Sequence, residues 1–140
     1  MTVVTASPEE TIRIGKELAK SLGPNTVIAL MGDLGAGKTT LVKGIALGLE
    51  IDEVITSPTF VIISEYDGRL PLFHMDLYRI SGVDEFIELG AEELFYSGGI
   101  TVIEWSERIR SILPPDSIRI HIAFDSDPSK RIISGEGIDL

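Results

Sequence analysis

The feature that most constrains the fold is a glycine-rich stretch, GDLGAGKTT at 32–40, which directly follows the apolar run TVIALM at 26–31. An apolar run this short suits a strand that is buried on both faces. After the glycines, the apolar residues between Leu41 and Leu49 recur at helical spacing. The order of strand, glycine loop and helix predicts an α/β fold.

The glycine stretch matches the phosphate-binding loop pattern, Gly32-x-x-x-x-Gly37-Lys38-Thr39. Glycines let the backbone approach an anion closely, and the following helix directs unpaired N–H groups and its positive end at that anion. Lys38 would contact the β- and γ-phosphates, and the Thr39 hydroxyl would bind Mg²⁺. The predicted nucleotide-binding residues here are Gly32, Asp33, Leu34, Gly35, Ala36, Gly37, Lys38, Thr39 and Thr40.

Length and composition favour one domain over residues 1–140, a single phosphate-binding-loop unit whose mixed β-sheet is flanked by helices. No apolar run is long enough for a membrane span, and the first residues lack a basic segment typical of a secretory signal. The chain has no cysteine, which excludes disulfides, thiolate metal ligands and a cysteine nucleophile. We therefore expect a cytoplasmic protein that does not interact with membranes.

The formal net charge is −10. A strongly acidic surface repels phosphodiester backbones, so high-affinity nucleic-acid binding by this chain alone is not expected. Any role close to RNA would need a partner or a local basic patch.

Two carboxylates follow apolar strands, Asp76 after LPLFHM and Glu104 after ITVI. The carboxyl ends of strands are where α/β sheets bind ligands. Asp76 is a candidate Mg²⁺ ligand, directly or through a water, and Glu104 a candidate catalytic group that orients or deprotonates the attacking water. Thr59, in the loop TSPTF at 56–60, would sense the γ-phosphate, although an ordinary turn is an equally good interpretation.

Local sequence patterns predict a helix start, a hairpin and two strands with one exposed face. Ser7 and Glu10 form a capping-box pattern at the start of a helix, and Asp67-Gly68 indicates a β-hairpin. The segment 117–124 and the closing KRIISGEG are expected to be antiparallel strands with one wet face. His74 is interpreted as support for Asp76 or as a structural residue, and Trp105 as a packing residue.

The stretches GDLGAGKTT, SPTF, HMDLYR and VIEWSE, in this order, resemble the TsaE (YjeE) family, the small bacterial ATPases of the tRNA threonylcarbamoyladenosine pathway. The resemblance covers residues 2–122. It implies binding of ATP and Mg²⁺, weak hydrolysis alone, and action with TsaD and TsaB, which modify adenosine 37 of tRNA. It also implies that Lys38 and Thr39 serve phosphate and Mg²⁺, that Thr59 lies in a switch loop, that Asp76 and Glu104 lie at the metal, and that Glu104 and Lys38 are the catalytic residues.

Three other protein classes share the phosphate-binding loop pattern with an ATPase. A regulatory GTPase would need an Asn-Lys-x-Asp element, but the one asparagine, Asn25, precedes Thr26. A small-molecule kinase would need an acceptor pocket and an arginine-rich lid. The seven arginines are scattered along the sequence and no lid-like insertion is evident, so this class is disfavoured. A nucleotide-dependent binding module without turnover stays open. The residues that hold adenine and any arginine finger are not identified, and Arg79, Arg108 and Arg110 are candidates for a rim that contacts RNA or a partner.

Overall fold

The computed structural model describes residues 2–33, 35–58 and 61–137. Within these residues, the strands and helices have the following bounds: β1 Thr2–Thr5, α1 Pro8–Lys20, β2 Thr26–Gly32, α2 Lys38–Gly48, β3 Ile63–Tyr66, β4 Leu72–Asp76, α3 Val83–Glu88, a 3-10 helix Ala91–Tyr96, β5 Ile100–Glu104, a second 3-10 helix Ser106–Ile112, β6 Ile118–Phe124 and β7 Arg131–Glu136. Leu34 and Thr59, two predicted site residues, lie outside the described residues. No described helix has the length and apolarity needed to cross a bilayer.

The strands form one mixed sheet in the order β1-β7-β6-β2-β5-β4-β3. Its centre is parallel, with β2 between β5 and β6, and β4 beyond β5. Strands β7 and β3 run antiparallel to β6 and β4, and β1 runs antiparallel to β7. The prediction of an α/β fold with a mixed sheet flanked by helices is confirmed.

Each face of the sheet has its own hydrophobic core. Ile28 and Leu30 of β2 contribute to the core beneath α1 and α2. Val27, on the other face of the same strand, belongs to the core beneath α3 and the two 3-10 helices. This alternation leaves β2 covered on both faces, as its continuous apolar sequence requires.

Helices α1 and α2 pack so closely that there is no room for a side chain at Gly15 or Gly44. A Cβ at Gly44 would overlap the carbonyl oxygen of Ile12, and a Cβ at Gly15 would lie 2.5 Å from the carbonyl oxygen of Leu41. The close contact fixes the axis of α2, and therefore its first turn, relative to α1.

The start of α1 is capped largely as predicted. The Ser7 side chain accepts a hydrogen bond from the Glu10 amide at 3.2 Å. The return bond differs, because Glu10 Oε2 accepts from the Ala6 amide at 2.7 Å and not from Ser7. The glutamate thus reaches one residue further upstream than the capping-box pattern predicts.

The predicted hairpin exists as β3 and β4, but its connection is longer than a two-residue turn at Asp67-Gly68. Tyr66 pairs with Leu72, so residues 67–71 form the loop. The Arg69 amide donates to the Leu49 carbonyl at 2.6 Å, and the Arg69 side chain donates to the Ala19 carbonyl at 3.0 Å. These contacts hold the loop against the ends of α1 and α2 in place of a tight turn.

The expectation for the last two strands is half correct. Strand β6 is antiparallel to β7 but parallel to β2. Its one wet face is present, with Arg119 and His121 exposed and Ile118, Ile120 and Ile122 buried. The alternation in sequence reports burial alone, whereas the direction relative to β2 depends on the crossover after β5.

Candidate nucleotide site

The glycine loop connects β2 to α2 at the carboxyl edge of the sheet. Gly32 has φ of +152°, and a Cβ there would overlap the Ile122 carbonyl oxygen of β6. Gly37, the N-cap of α2, has φ of +108°. Both positions therefore favour glycine strongly.

The first turn of α2 has the features that favour binding of an anion. Among the described residues no side chain caps this turn, and the turn contains no acidic residue. Its first N–H groups are left for a ligand, and the positive end of the helix faces the same way. Ala36 contributes differently, since its amide donates to the Asp33 carbonyl at 3.1 Å and its side chain is buried in the core.

Lys38 is nearly buried but makes no salt bridge with any described carboxylate. Its Nζ donates to the Gly32 carbonyl at 2.9 Å and lies 4.6 Å from the centre of the Trp105 ring. A buried ammonium group without a counterion is costly, and a carbonyl and an aromatic face only partly replace water. Lys38 is thus in place to pair with an incoming anion.

Asp76 and Glu104 are brought side by side, as their positions after two strands predicted. They are paired in register at the carboxyl ends of the parallel strands β4 and β5. Both are buried, with 7% and 4% exposed. Asp76 Oδ1 accepts from the Tyr78 amide at 3.0 Å. One oxygen of this carboxylate is therefore held by the backbone.

His74 does not support Asp76, in contrast to the functional interpretation of the sequence. Its Nε2 lies 2.6 Å from Oε2 of Glu104, and the ring is fully buried. Parallel in-register pairing places Glu104 beside Asp76 and one pleat ahead of His74, which makes the diagonal contact possible. The sequence spacing of His74 and Asp76 gave no indication of this partner.

Seven of the predicted site residues, Gly35, Gly37, Lys38, Thr39, Thr40, Asp76 and Glu104, line one cavity of about 490 Å³. It is lined by Gly35, Gly37, Lys38, Thr39, Thr40, Ser57, Asp76, Tyr78, Glu104 and Trp105. Gly32, Asp33 and Ala36 belong to the same glycine stretch but do not line the cavity.

Two aromatic residues of the cavity were missed or undervalued. The rings of Tyr78 and Trp105 have centres 5.0 Å apart and an interplanar angle of 55°. Trp105 has φ of +60°, a conformation uncommon for a bulky residue, directly after Glu104. The signal in sequence was position, since each aromatic follows a strand-end carboxylate within two residues.

A smaller cavity of about 130 Å³ adjoins the loop on its other side. It shares Gly35, Gly37 and Thr40 with the larger one and is completed by the start of α1 and by Ser129 and Arg131. Arg131 donates from Nε to the Ala36 carbonyl at 3.1 Å and from Nη1 to the Pro128 carbonyl at 2.8 Å. The sequence alone had indicated no role for the residues after Phe124, which include Ser129 and Arg131.

The residues present fit a magnesium ion. The three predicted ligands, Thr39, Asp76 and Glu104, all line the larger cavity. Within the described part of the chain, no group of three or more His, Cys, Asp or Glu side chains could hold a metal by itself. Mg²⁺ suits such a sparse set, because it keeps several waters and takes its other ligands from one or two carboxylates and substrate phosphates.

Arg108 and Arg110, two of the three arginines considered as a rim, lie in different places. Arg108 donates from Nη2 to the Tyr78 carbonyl at 3.3 Å, beside the larger cavity. Arg110 lines a separate groove of about 290 Å³ with Met31 and Arg119. Met31 and Arg119 lie on the sheet face opposite α1 and α2, so Arg110 is away from the nucleotide cavity.

Comparison with known proteins shows the family of this chain. The family model described as "Threonylcarbamoyl adenosine biosynthesis protein TsaE" matches residues 5–133. The chain belongs to the TsaE family. A TsaE-family relative from Treponema pallidum, named tRNA threonylcarbamoyladenosine biosynthesis protein TsaE, is 44% identical over 94% of this chain and 98% of its own. The relative of the same name from Bacillus subtilis is 46% identical over 91% of this chain and 80% of its own.

The fold of this TsaE-family chain is also that of a solved structure. The crystal structure of Bacillus subtilis YdiB superposes with a TM-score of 0.82 at 42% identity, over 95% of this chain and 82% of that one. The family resemblance inferred from the four motifs is therefore confirmed. The individual roles of the site residues stay predictions.

Proposed function

We propose that this TsaE-family protein binds ATP with Mg²⁺ and hydrolyses it, as a component of the system that makes N6-threonylcarbamoyladenosine at position 37 of tRNA. The observation that carries the proposal is the convergence of the glycine loop, Lys38, Thr39 and the paired Asp76 and Glu104 on one cavity. The names of the relatives, biosynthesis proteins of this modified nucleoside, indicate the pathway.

Each group has a role that its surroundings support. The amides at the start of α2 and Lys38 hold the β- and γ-phosphates. The Thr39 hydroxyl and Asp76 hold the ion, directly or through water, and Glu104 lies beside them. Mg²⁺ would neutralise charge on the phosphates and polarise the γ-phosphoryl group. Without a cation, the two buried carboxylates would repel a triphosphate, and Lys38 is the one basic side chain among the described residues that line the cavity.

Glu104 is the proposed group that orients the attacking water. The oxygen of that water bonds to the γ-phosphorus, the bond from the γ-phosphorus to the bridging oxygen breaks, and ADP and phosphate leave. The proton of the water passes to Glu104 or to a phosphate oxygen. Catalysis of this kind depends on positioning and electrostatic stabilisation.

The nucleoside is proposed to extend into the smaller cavity. Because Gly35, Gly37 and Thr40 line both cavities, a ligand whose phosphates follow the loop can continue past it. The adenine would then lie between the start of α1 and the turn that contains Ser129. Leu34 and Thr59 retain their predicted roles as a loop residue and a γ-phosphate sensor.

The partners proposed for this chain are TsaD and TsaB, with tRNA contacted indirectly. A net charge of −10 opposes tight binding of tRNA by this chain alone, so the transferase would hold the RNA. ATP hydrolysis would support turnover of the TsaB–TsaD transferase without performing the transfer itself. A cytoplasmic location and a single domain over 1–140 are part of this proposal.

The test is phosphate release from ATP, with GTP as the control, measured with and without purified TsaB–TsaD. We expect release specific for ATP, stimulated by the partners, and reduced about 100-fold or more by Glu104→Gln. Equal rates with both nucleotides and no partner effect would refute the proposal. Unchanged release in Glu104→Gln, with binding intact, would favour a binding module.

A further inference from the structure

Among the described residues, the fully buried ring of His74 makes one hydrogen bond, to Glu104. The atoms Nε2 and Oε2 are 2.6 Å apart, and Glu104 is only 4% exposed. The other ring nitrogen, Nδ1, has no hydrogen-bond partner among the described residues. The whole polar interaction of the ring is therefore directed at one carboxylate.

The surroundings of His74 give no structural reason for an imidazole. On the same sheet face, Leu72 and Val102 are fully buried in the core beneath α1 and α2. Ser64 of β3, which is paired with His74, makes no hydrogen bond to Nδ1 of the ring. An apolar side chain would fill this space without leaving a ring nitrogen unsatisfied. The contact with Glu104 is what distinguishes histidine from an apolar residue here.

The contact also restricts where the Glu104 carboxylate can go. Lys38 lines the same cavity and has no carboxylate partner among the described residues. A free carboxylate in a nearly buried site would be drawn to that ammonium group. Engagement of Oε2 by His74 holds the carboxylate back, while Oε1 has no hydrogen-bond partner among the described residues and is the less occupied oxygen for a ligand in the cavity.

We propose that His74 is a positioning residue that donates its Nε2–H to Oε2 of Glu104 and thereby orients Oε1 toward the attacking water. The inference rests on the proposed ATPase function. Because His74 acts through Glu104, it affects the turnover step and leaves nucleotide affinity nearly unchanged. Side chains that orient a functional group through a hydrogen bond typically contribute about 10- to 100-fold to activity.

The first test compares variants in phosphate release with TsaB–TsaD present and in calorimetric binding of Mg–ADP. His74→Leu should lower kcat about 10- to 100-fold, whereas His74→Gln, whose amide can donate near the Nε2 position, should recover most of the activity. His74→Asn is too short to reach Glu104 and should remain impaired, which decides the matter if the leucine variant does not fold. The control is His121→Leu, at the exposed histidine of β6.

A double-mutant cycle tests whether His74 acts through Glu104. In a Glu104→Gln background, His74→Asn should change kcat by less than about twofold, because the group it positions is already absent. An undiminished effect in that background would overturn the proposal. So would wild-type turnover in both the leucine and asparagine variants.

A measurement without turnover is nitrogen-15 NMR of the imidazole rings, since the chain has only two histidines. A His74 ring protonated at Nε2 is expected, and a bare Nε2 would overturn the proposal. These outcomes are separate from failure of the ATPase proposal, in which the wild-type protein would release no phosphate with or without its partners.

Discussion

Two carboxylates that look alike in sequence are prepared differently by their neighbours. Asp76 is held by a backbone amide two residues downstream, and Glu104 by an imidazole on the adjacent strand. A backbone amide is present whatever the residue, whereas the imidazole depends on one side chain. The orientation of Glu104 is therefore more easily changed by mutation than that of Asp76.

At Lys38, we predict that replacement by alanine weakens ATP binding by about 10- to 100-fold, the range expected for a lost charge-assisted hydrogen bond. The reason is that Nζ has no carboxylate partner among the described residues and is available for phosphate. Titration calorimetry with Mg–ATP measures the effect. Lys43→Ala, at an exposed lysine on the same helix, is the matched control. Equal affinities of the two variants would contradict the prediction.

The single tryptophan should report nucleotide binding. Lys38 Nζ lies 4.6 Å from the Trp105 ring centre, and we expect the lysine to leave the ring when it engages phosphate. Trp105 emission should then change and saturate at the dissociation constant found by calorimetry. The same titration of Lys38→Ala should lose this component. An emission spectrum that stays constant while calorimetry shows binding would contradict the lysine movement.

At the scale of elements, the contact of α1 with α2 places the first turn of α2 at the phosphate loop. Glycine in a helix interior normally destabilises it by about 1 kcal/mol relative to alanine. At Gly44 the sign should reverse, because an added Cβ would overlap the Ile12 carbonyl.

We predict that Gly44→Ala lowers the free energy of unfolding by about 1–3 kcal/mol. Urea denaturation followed by circular dichroism measures this change. Gly23→Ala is the control, since a Cβ at Gly23 would meet nothing within 4 Å, and it should be nearly neutral. Stabilisation by Gly44→Ala would show that the helices can move apart without loss.

At the scale of the whole molecule, the start of β7 is tied to the phosphate loop. Arg131, 95 residues away in sequence, donates to the Ala36 carbonyl, while its guanidinium carbon lies 4.2 Å from the Phe124 ring centre. The last strands thus help to hold a loop that belongs to the first part of the chain.

We predict that Arg131→Ala weakens ATP binding by about 3- to 10-fold, because the ligand must then order the loop itself. Arg131→Lys should not restore affinity, since lysine lacks the planar guanidinium that bonds three carbonyls. Calorimetry measures the change, with Arg119→Ala on the opposite sheet face as the control. Wild-type affinity in Arg131→Ala would show that the loop is ordered without this contact.

The sequence by itself determined the family, the phosphate loop and the two strand-end carboxylates. Each of these is encoded by residues that lie close together in the sequence. Only the tertiary structure decided that His74 meets Glu104, that Arg131 reaches Ala36, and that β6 runs parallel to β2. Those relations depend on strand order and on crossovers between distant segments. A periodic pattern shows which face of a strand is buried, but it carries no information on which strand lies beside it.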